Sequence, residues 1–196
     1  MEIRLGRPDE FAAIGELVVG VYDAIDPHGL GEYADELRDV GGRAASADIL
    51  VAVDDDDGTL LGAVTYVPGP ASALAEFDDP DAAGIRMLAV AQEAQGRGIG
   101  RALVEVCLDR ARAAGRRQVL LHTTDWMATA HRLYAGMGFE RDPSMDWPAP
   151  EAEGEFWLRG FRMQLDGDRD DCADRADPDD PDRTPSGEPA EPRLAR

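Results

Sequence analysis

The chain has no lysine. All 20 of its basic residues are arginines, set against 40 acids in 196 residues. That absence rules out Schiff-base chemistry on a lysine of this chain, and any phosphate loop built on Gly-Lys-Ser/Thr. The formal net charge of −20 excludes non-specific nucleic-acid binding, which needs a basic surface. Cysteine is scarce: Cys107 falls in an apolar periodic stretch and Cys172 in a polar one, so no disulfide framework is expected. His28, His122 and His131 are scattered and make no Cys/His cluster with metal-ligand spacing, so no metal is expected. No apolar run approaches the length of a membrane span. The N-terminal "MEIRLGRPDEF" lacks the apolar core of a signal peptide. The expectation is a soluble cytoplasmic protein that engages neither membrane nor nucleic acid.

Large apolar residues become rare after position 165. Residues 166–196 hold 11 acids, 5 arginines and 5 prolines, a net charge of −6. Such a segment cannot bury enough surface to offset the entropy of ordering. The expected organisation is a folded domain over 1–165 and an acidic disordered C-terminal tail over 166–196. Within the domain, "EIRL" alternates as a strand. "DEFAAIGELVVGVYDAI" puts Phe11, Ile14, Val18 and Val21 on one helical stripe, and "GEYADELRDV" repeats the pattern with Tyr33, Leu37 and Val40. "ILVAV" and "LLGAVTYV" flank an acidic turn whose Asp57-Gly58 signals a hairpin. "GIRMLAV" is a further strand. A glycine turn and a helix with Ile99, Leu103, Val106 and Cys107 inward follow, then the strand "QVLLHTT". "WMATAHRLYAGMG" reads as a helix with Met127, Ala130, Tyr134 and Met137 on one face and Gly138 as its stop. "GFER" and "FWLRGFRMQL" read as strands, the latter with Phe161, Met163 and Leu165 inward, and "DWPAPEAEG" as a loop between them. A hairpin leading into a strand–helix–strand unit predicts an α/β (α+β) fold with a mixed sheet and helices on both faces.

The chemistry concentrates in "QGRGIGRALVE", where Gly96, Gly98 and Gly100 alternate, with Arg97 and Arg101 beside them. A glycine-rich turn that opens a helix leaves backbone N–H groups without partners, and the helix dipole favours an anion there. A phosphate or pyrophosphate cradle is therefore expected. Three familiar cradles do not fit. The G-x-G-x-x-G of dinucleotide-binding folds would put its last glycine at Arg101 or Leu103. A P-loop needs the missing lysine, and a kinase glycine loop joins two strands rather than opening a helix.

What does fit is Q/R-x-x-G-x-G/A, read here as Gln95-Gly96-Arg97-Gly98-Ile99-Gly100, preceded by "RMLAV" and followed by an amphipathic helix. With "HRLYAGMGFER" further on, the chain resembles the GNAT superfamily of acyl-CoA N-acyltransferases from about Ile49 to Leu165. The resemblance implies a mostly antiparallel central sheet in which two parallel strands splay apart, with acetyl-CoA in the gap. It implies that Leu88 and Val90 offer backbone groups to the pantetheine arm, and that an N–H of that strand polarises the thioester carbonyl. The diphosphate is assigned to Gln95, Gly96, Arg97, Gly98, Ile99, Gly100 and Arg101. Tyr134 matches the family's general acid, which protonates the departing thiolate. Packing on a stripe with Met127, Ala130 and Met137 is the competing role for this tyrosine.

Some relatives carry a glutamate on the "MLAV" strand as a base; here that strand has no acid and carries Arg86. Glu76, Asp81, His122, Asp125 and a water chain stand as alternatives, with Asp125 also fitting a helix N-cap. Many relatives have an asparagine where this chain has Met127. His131 suits a surface or capping role. Tyr22, His28 and Tyr33 fall in the region that walls the acceptor site in relatives, and Asp146 and Trp147 in a loop at its side. The implied activity is direct transfer of an acetyl group from acetyl-CoA to a primary amine of a small molecule or peptide. The acidic surface favours a cationic acceptor, Arg86 one that bears a carboxylate. The alternative is an acyl-CoA-binding module without turnover. Relatives are often homodimers; oligomeric state is not legible in this sequence.

Overall fold

The computed structural model describes residues 1–148 and 156–165. Strand β1 (Glu2–Leu5) leads into α1 (Phe11–Asp23), α2 (Tyr33–Arg38) and α3 (Val40–Ala44). Strands β2 (Asp48–Val53), β3 (Leu60–Val67) and β4 (Ala82–Val90) follow, then α4 (Ile99–Ala113), β5 (Gln118–Thr123) and α5 (Ala128–Ala135). Three strands complete it: β6 (Glu140–Arg141), β7 (Trp147–Pro148) and β8 (Trp157–Gln164). The sheet runs β1-β2-β3-β4-β5-β8-β6, with β7 paired to β8. Among the described residues only β4 and β5 pair in parallel; the other pairs are antiparallel.

The two faces are covered by different helices. Helix α4 lays Ile99, Leu103, Cys107 and Ala111 on Leu50, Val64, Ile85, Val119 and Leu121. On the other face Ile14 and Val18 of α1, with Leu37 and Val40, cover Ile49, Val51, Ala63, Met87 and Ala89. Each fully buried Leu, Ile or Val contributes about 1.5–3 kcal/mol through removal from water. Helix α1 starts behind Pro8, where the Glu10 carboxylate accepts the Arg7 N–H at 2.8 Å. Gly15 is required by close approach: a Cβ there would lie 2.9 Å from the Arg38 carbonyl at the end of α2.

The sequence pattern of one helix over "GEYADELRDV" is broken in the structure. At Asp39 the chain leaves α2, and the Asp39 carboxylate caps α3 by accepting the Gly42 N–H at 2.8 Å. Leu37 and Val40 still reach the same core. The last helix is shorter than its apolar pattern, with Met127 at its N-cap and Met137 beyond its end; the chain turns at Gly138, φ +94°. "GFER" gives only the two-residue β6, and part of the expected "DWPAPEAEG" loop pairs with β8 as β7. The expected tail, 166–196, lies outside the described residues.

One irregularity interrupts the pairing of β3 with β4. Ala63 pairs with Ala89 and Thr65 with Arg86, so two steps along β3 match three along β4. The surplus residue is a β-bulge, and Met87 within it has φ +54°, a left-handed conformation that costs a non-glycine residue about 1–2 kcal/mol. The bulge also resets side-chain parity. Ile85 packs toward α4, Arg86 and Met87 both face the α1 side, and Leu88 returns to the α4 side.

Candidate active site

The pairing of β4 with β5 runs from Ala82–Gln118 to Ile85–Leu121 and stops there. Beyond it β4 continues to Val90 along β3, while β5 continues through His122 and Thr123 along β8. The two strands part at the bulge. From Arg86 to Val90 the edge of β4 that faces β5 has no strand partner among the described residues, so its backbone groups are open to another chain of donors and acceptors. Leu88 and Val90 lie on this stretch. In the structure the Val90 carbonyl accepts from the Gln95 side chain at 3.2 Å.

The glycine turn lies at the end of that edge. Gly96 and Gly98 have φ +77° and +81°, and among the described residues no atom beyond the chain neighbours lies within 4 Å of where a Cβ would stand on either. Gly98 is the N-cap of α4 and offers no side chain. The first bond of the helix runs from the Ala102 N–H to the Gly98 carbonyl at 3.0 Å, which leaves the N–H groups of Gly98, Ile99, Gly100 and Arg101 without helical acceptors. A Cβ on Gly100 would stand 3.5 Å from Leu133 of α5, 3.6 Å from Val90 and 3.9 Å from Leu88. The turn, the open strand edge and α5 thus converge. Arg97 lies 3.8 Å from Asp54 at the acidic hairpin, and Arg101 donates to the Gly136 carbonyl at 3.0 Å. Ile99 is buried, so only its backbone is offered to the turn.

Tyr134 stands on α5, buried against Phe139 and Phe161 at ring distances of 5.5 and 6.4 Å. Burial, with the nearby Cys107 thiol as a lesser cause, raises its phenol well above the ordinary value. It is therefore a neutral O–H at physiological pH, the form in which it donates a proton. The Cys107 thiol is itself pushed up to about 12 by burial, which excludes it as a thiolate nucleophile.

Across the sheet from α4, a polar cluster fills the place where β4 and β5 part. A small cavity there is lined by Gly84 and Arg86 of β4, by Leu120 and His122 of β5, and by Glu76 and Phe77 of the β3–β4 loop. His122 Nδ1 is 2.9 Å from Glu76, and its Nε2 is 2.9 Å from the Met145 carbonyl. Both partners offer acceptor oxygens to the ring. Arg86 lies 2.9 Å from the other oxygen of Glu76 and 3.5 Å from Glu36 on α2. Burial would raise the Glu76 carboxyl, but the His122 hydrogen bond and the charge of Arg86 outweigh it and hold the group below its ordinary value. Tyr22 and Tyr33 pack beside this cluster with rings 6.4 Å apart, and burial pushes the Tyr33 phenol up to about 12.

The sequence candidates for a base separate accordingly. Glu76 and His122 come together, each occupied by the other. Asp81 precedes β4 at the opposite end of the parallel pair, 3.9 Å from Arg117. Asp125 is not the N-cap expected of it; both its oxygens accept from Arg159 at 2.8 Å, which lowers its carboxyl. His131 Nε2 donates to the Thr124 carbonyl at 2.8 Å. Asp146 ties Arg141 and Arg159 together, and Trp147 meets His122 edge-on at 6.0 Å. His28 joins Trp126 and Phe156 in an aromatic cluster with ring distances of 4.8–5.9 Å.

Three features escaped the sequence reading. The bulge at Met87 has no glycine to mark it. Glu36 was one acid among many on a helix face. Arg43 is 4% exposed, donates to Thr65 Oγ1 and the Leu37 carbonyl at 2.7 Å each, and has no carboxylate partner among the described residues. No group of three or more His, Cys, Asp or Glu side chains suited to a metal occurs among the described residues. No helix among them is long and apolar enough to cross a membrane.

Comparison with known proteins gives this geometry a family. Over 84% of the chain the fold matches the yncA protein of Salmonella typhimurium, solved with its cofactor acetyl-CoA, with 94% of that chain covered, 20% identity and a TM-score of 0.64. It matches a ribosomal-protein-alanine N-acetyltransferase of Brucella melitensis over 84% of this chain and 100% of that one, with 19% identity and a TM-score of 0.62. In sequence the chain is 42% identical to N-acetyltransferase 8B of Rattus norvegicus over 64 residues, 31% of this chain and 29% of that one. It is 40% identical to the mycothiol acetyltransferase of Beutenbergia cavernae over 86 residues, 44% of this chain and 26% of that one. The chain thus spans less than a third of the length of the curated relatives it matches. The model of the acetyltransferase (GNAT) family matches residues 18–139, from within α1 to the start of β6, and the chain belongs to that family.

Proposed function

We propose that the protein is an acetyl-CoA-dependent N-acetyltransferase acting on a primary amine of a small molecule or peptide in a ternary complex. The observation that carries this reading is the parting of β4 and β5 at a bulge, with an open strand edge that runs into a glycine turn. The residues present suit acetyl-CoA. The open edge at Leu88 and Val90 suits an extended amide-bearing arm, and the unpaired N–H groups at the start of α4 suit a diphosphate. Gln95, Gly96, Arg97, Gly98, Ile99, Gly100 and Arg101 would hold that group.

Bound acetyl-CoA supplies an activated acyl carbon: the amine nitrogen bonds to it, the carbon–sulfur bond breaks, and an amide and a thiol result. An N–H on the open edge of β4 stabilises charge on the carbonyl oxygen. Tyr134, neutral and buried, gives its proton to the departing sulfur. The proton lost by the amine passes to water, and water returns one to Tyr134, so the protons balance over the cycle. Glu76 and His122 hold each other, Asp125 is paired with Arg159, and Asp81 is at the far end of the strand pair. Thiol release from acetyl-CoA with a panel of primary amines tests the proposal. Binding of acetyl-CoA without thiol release from any amine would replace it with the non-catalytic acyl-CoA-binding module.

A further inference from the structure

We infer that the acceptor carries a carboxylate next to its amine, as an α-amino acid does, and that Arg86 receives the carboxylate while Glu36 faces the amine. This inference rests on the acetyltransferase reading and names its substrate class. Arg86 lies one residue past Ile85–Leu121, the last paired step of the two parting strands, and lines the cavity there. Its guanidinium has five N–H donors. Among the described residues it makes one hydrogen bond, to the Leu74 carbonyl at the 3.5 Å limit. Its contacts with Glu76 and Glu36 are both made by one terminal nitrogen, Nη2, and fix the group in place. An arginine so held, with its remaining N–H donors weakly used, is matched by a carboxylate, which takes two parallel N–H bonds.

The local charges have a direction. Arg43 is buried behind Arg86, bonded to Thr65, the residue opposite Arg86 in the β3–β4 pair. Glu76 is shared between Arg86 and His122. Glu36 is the half-exposed member, and its 3.5 Å contact with Arg86 is the long one of the cluster. Exposed pairs of this kind contribute little, so a ligand that brings its own pair of charges replaces this contact without loss. A zwitterion does so at both ends. A purely cationic amine finds Glu36 but also meets Arg86 and Arg43. The strongly acidic surface acts from a distance and is screened by salt, so the cluster at the site decides.

The test uses the full chain and matched acceptors: standard α-amino acids, their primary carboxamides and the corresponding decarboxylated amines. In the thiol-release assay the amino acids should exceed both analogues in kcat/KM by about 10- to 100-fold, the worth of hydrogen bonds to a charged group. Arg86→Gln should erase that gap through KM while the affinity for acetyl-CoA is kept. Equal or reversed ranking on the unaltered protein overturns the inference whether or not Arg86→Gln folds, and leaves the transferase reading standing. Calorimetry with the same compounds on coenzyme A-loaded protein separates the two claims. Tighter, Arg86-dependent binding of the amino acids supports the inference even where no acetyl group moves, in which case only the transferase reading falls. If no amino acid binds and none is acetylated, the inference fails.

Discussion

Replacing Tyr134 by phenylalanine removes one hydroxyl from a ring that is 5% exposed and keeps its contacts with Phe139 and Phe161. The hydroxyl contributes little to folding. Burial and the Cys107 thiol account for its raised pKa, with no hydrogen bond among the causes. A buried hydroxyl in that state is worth at most about 1 kcal/mol, or roughly 2–4 °C in Tm for a domain of this size. In the chemical step the same atom is asked for far more. General-acid assistance is worth about 10²–10⁴-fold, equivalent to about 3–5 kcal/mol of barrier. The expected outcome is a single-turnover rate lower by about 10²-fold or more, with acetyl-CoA affinity and melting temperature near those of the unaltered protein. Stopped-flow detection of the released thiol measures the rate, and calorimetry and circular dichroism measure the other two. The sign of the pH effect follows from the direction of the shift. A phenol whose pKa is raised stays protonated further into the alkaline range, so Tyr134 causes no loss of rate near neutral pH. An unchanged single-turnover rate in a folded Tyr134→Phe protein would refute the general-acid role and return the residue to packing alone.

Gly98→Val forces a β-branched residue to φ +81° and should lower stability by about 1–2 kcal/mol as well as weaken acetyl-CoA binding. Gly100→Val should weaken binding by intruding on Leu133, Val90 and Leu88; wild-type affinity in either folded variant, by calorimetric titration, would remove the turn from the diphosphate site. Asp81→Asn and Asp125→Asn should each leave kcat within about twofold, as expected of surface changes away from the chemistry; a large loss in either would identify the missing base. The Asp146 carboxyl is held at about 2 by the Arg141 hydrogen bond, with Gly160 N–H and Arg159 adding to it. Its contribution to stability is therefore present above the unfolded value of 3.8 and lost as pH falls through about 2. Urea melts should show Asp146→Asn less stable than the parent at pH 6, with the gap closing as the pH approaches about 2. A chain ending after Leu165 should melt and bind acetyl-CoA as the full chain does; a large drop in Tm would place the domain boundary beyond that residue.

The strands and the long helices were legible because their periods are long and their cores one-sided. Ile14 and Val18, or Leu103 and Cys107, recur at helical spacing and are buried together. The glycine turn and Tyr134 were legible through a motif, since glycines at left-handed positions and a helix start leave a trace in sequence. The break at Asp39 was not, because Leu37 and Val40 keep a helical interval across it while the Asp39 side chain caps a new start. The polar cluster was only half legible. Arg86, Glu76 and His122 were each singled out, but the partner of a charged residue is set by folding: Glu36, Glu76 and His122 lie on three different elements. His122 stands immediately past the last paired residue, Leu121. Met87 gave no sign at all, since left-handed backbone normally advertises itself as glycine, asparagine or aspartate.

That surplus residue makes the opening of the sheet a matter of chain length rather than of side-chain chemistry. A one-residue shift in a strand ordinarily turns every later side chain to the wrong face. Here the opposite holds. With Met87 removed, Arg86 is followed by Leu88, and Leu88, Ala89 and Val90 keep the faces they occupy now. Such a shortened strand would be regular, free of its left-handed link, and able to run on beside β5 past Leu121. Exchanging Met87 for an unbranched apolar residue of similar size alters only its packing under α1. Deleting it should let the two strands pair on past Leu121 with the hydrophobic pattern intact, so a single missing codon is expected to keep the core and close the gap in which acetyl-CoA is proposed to bind.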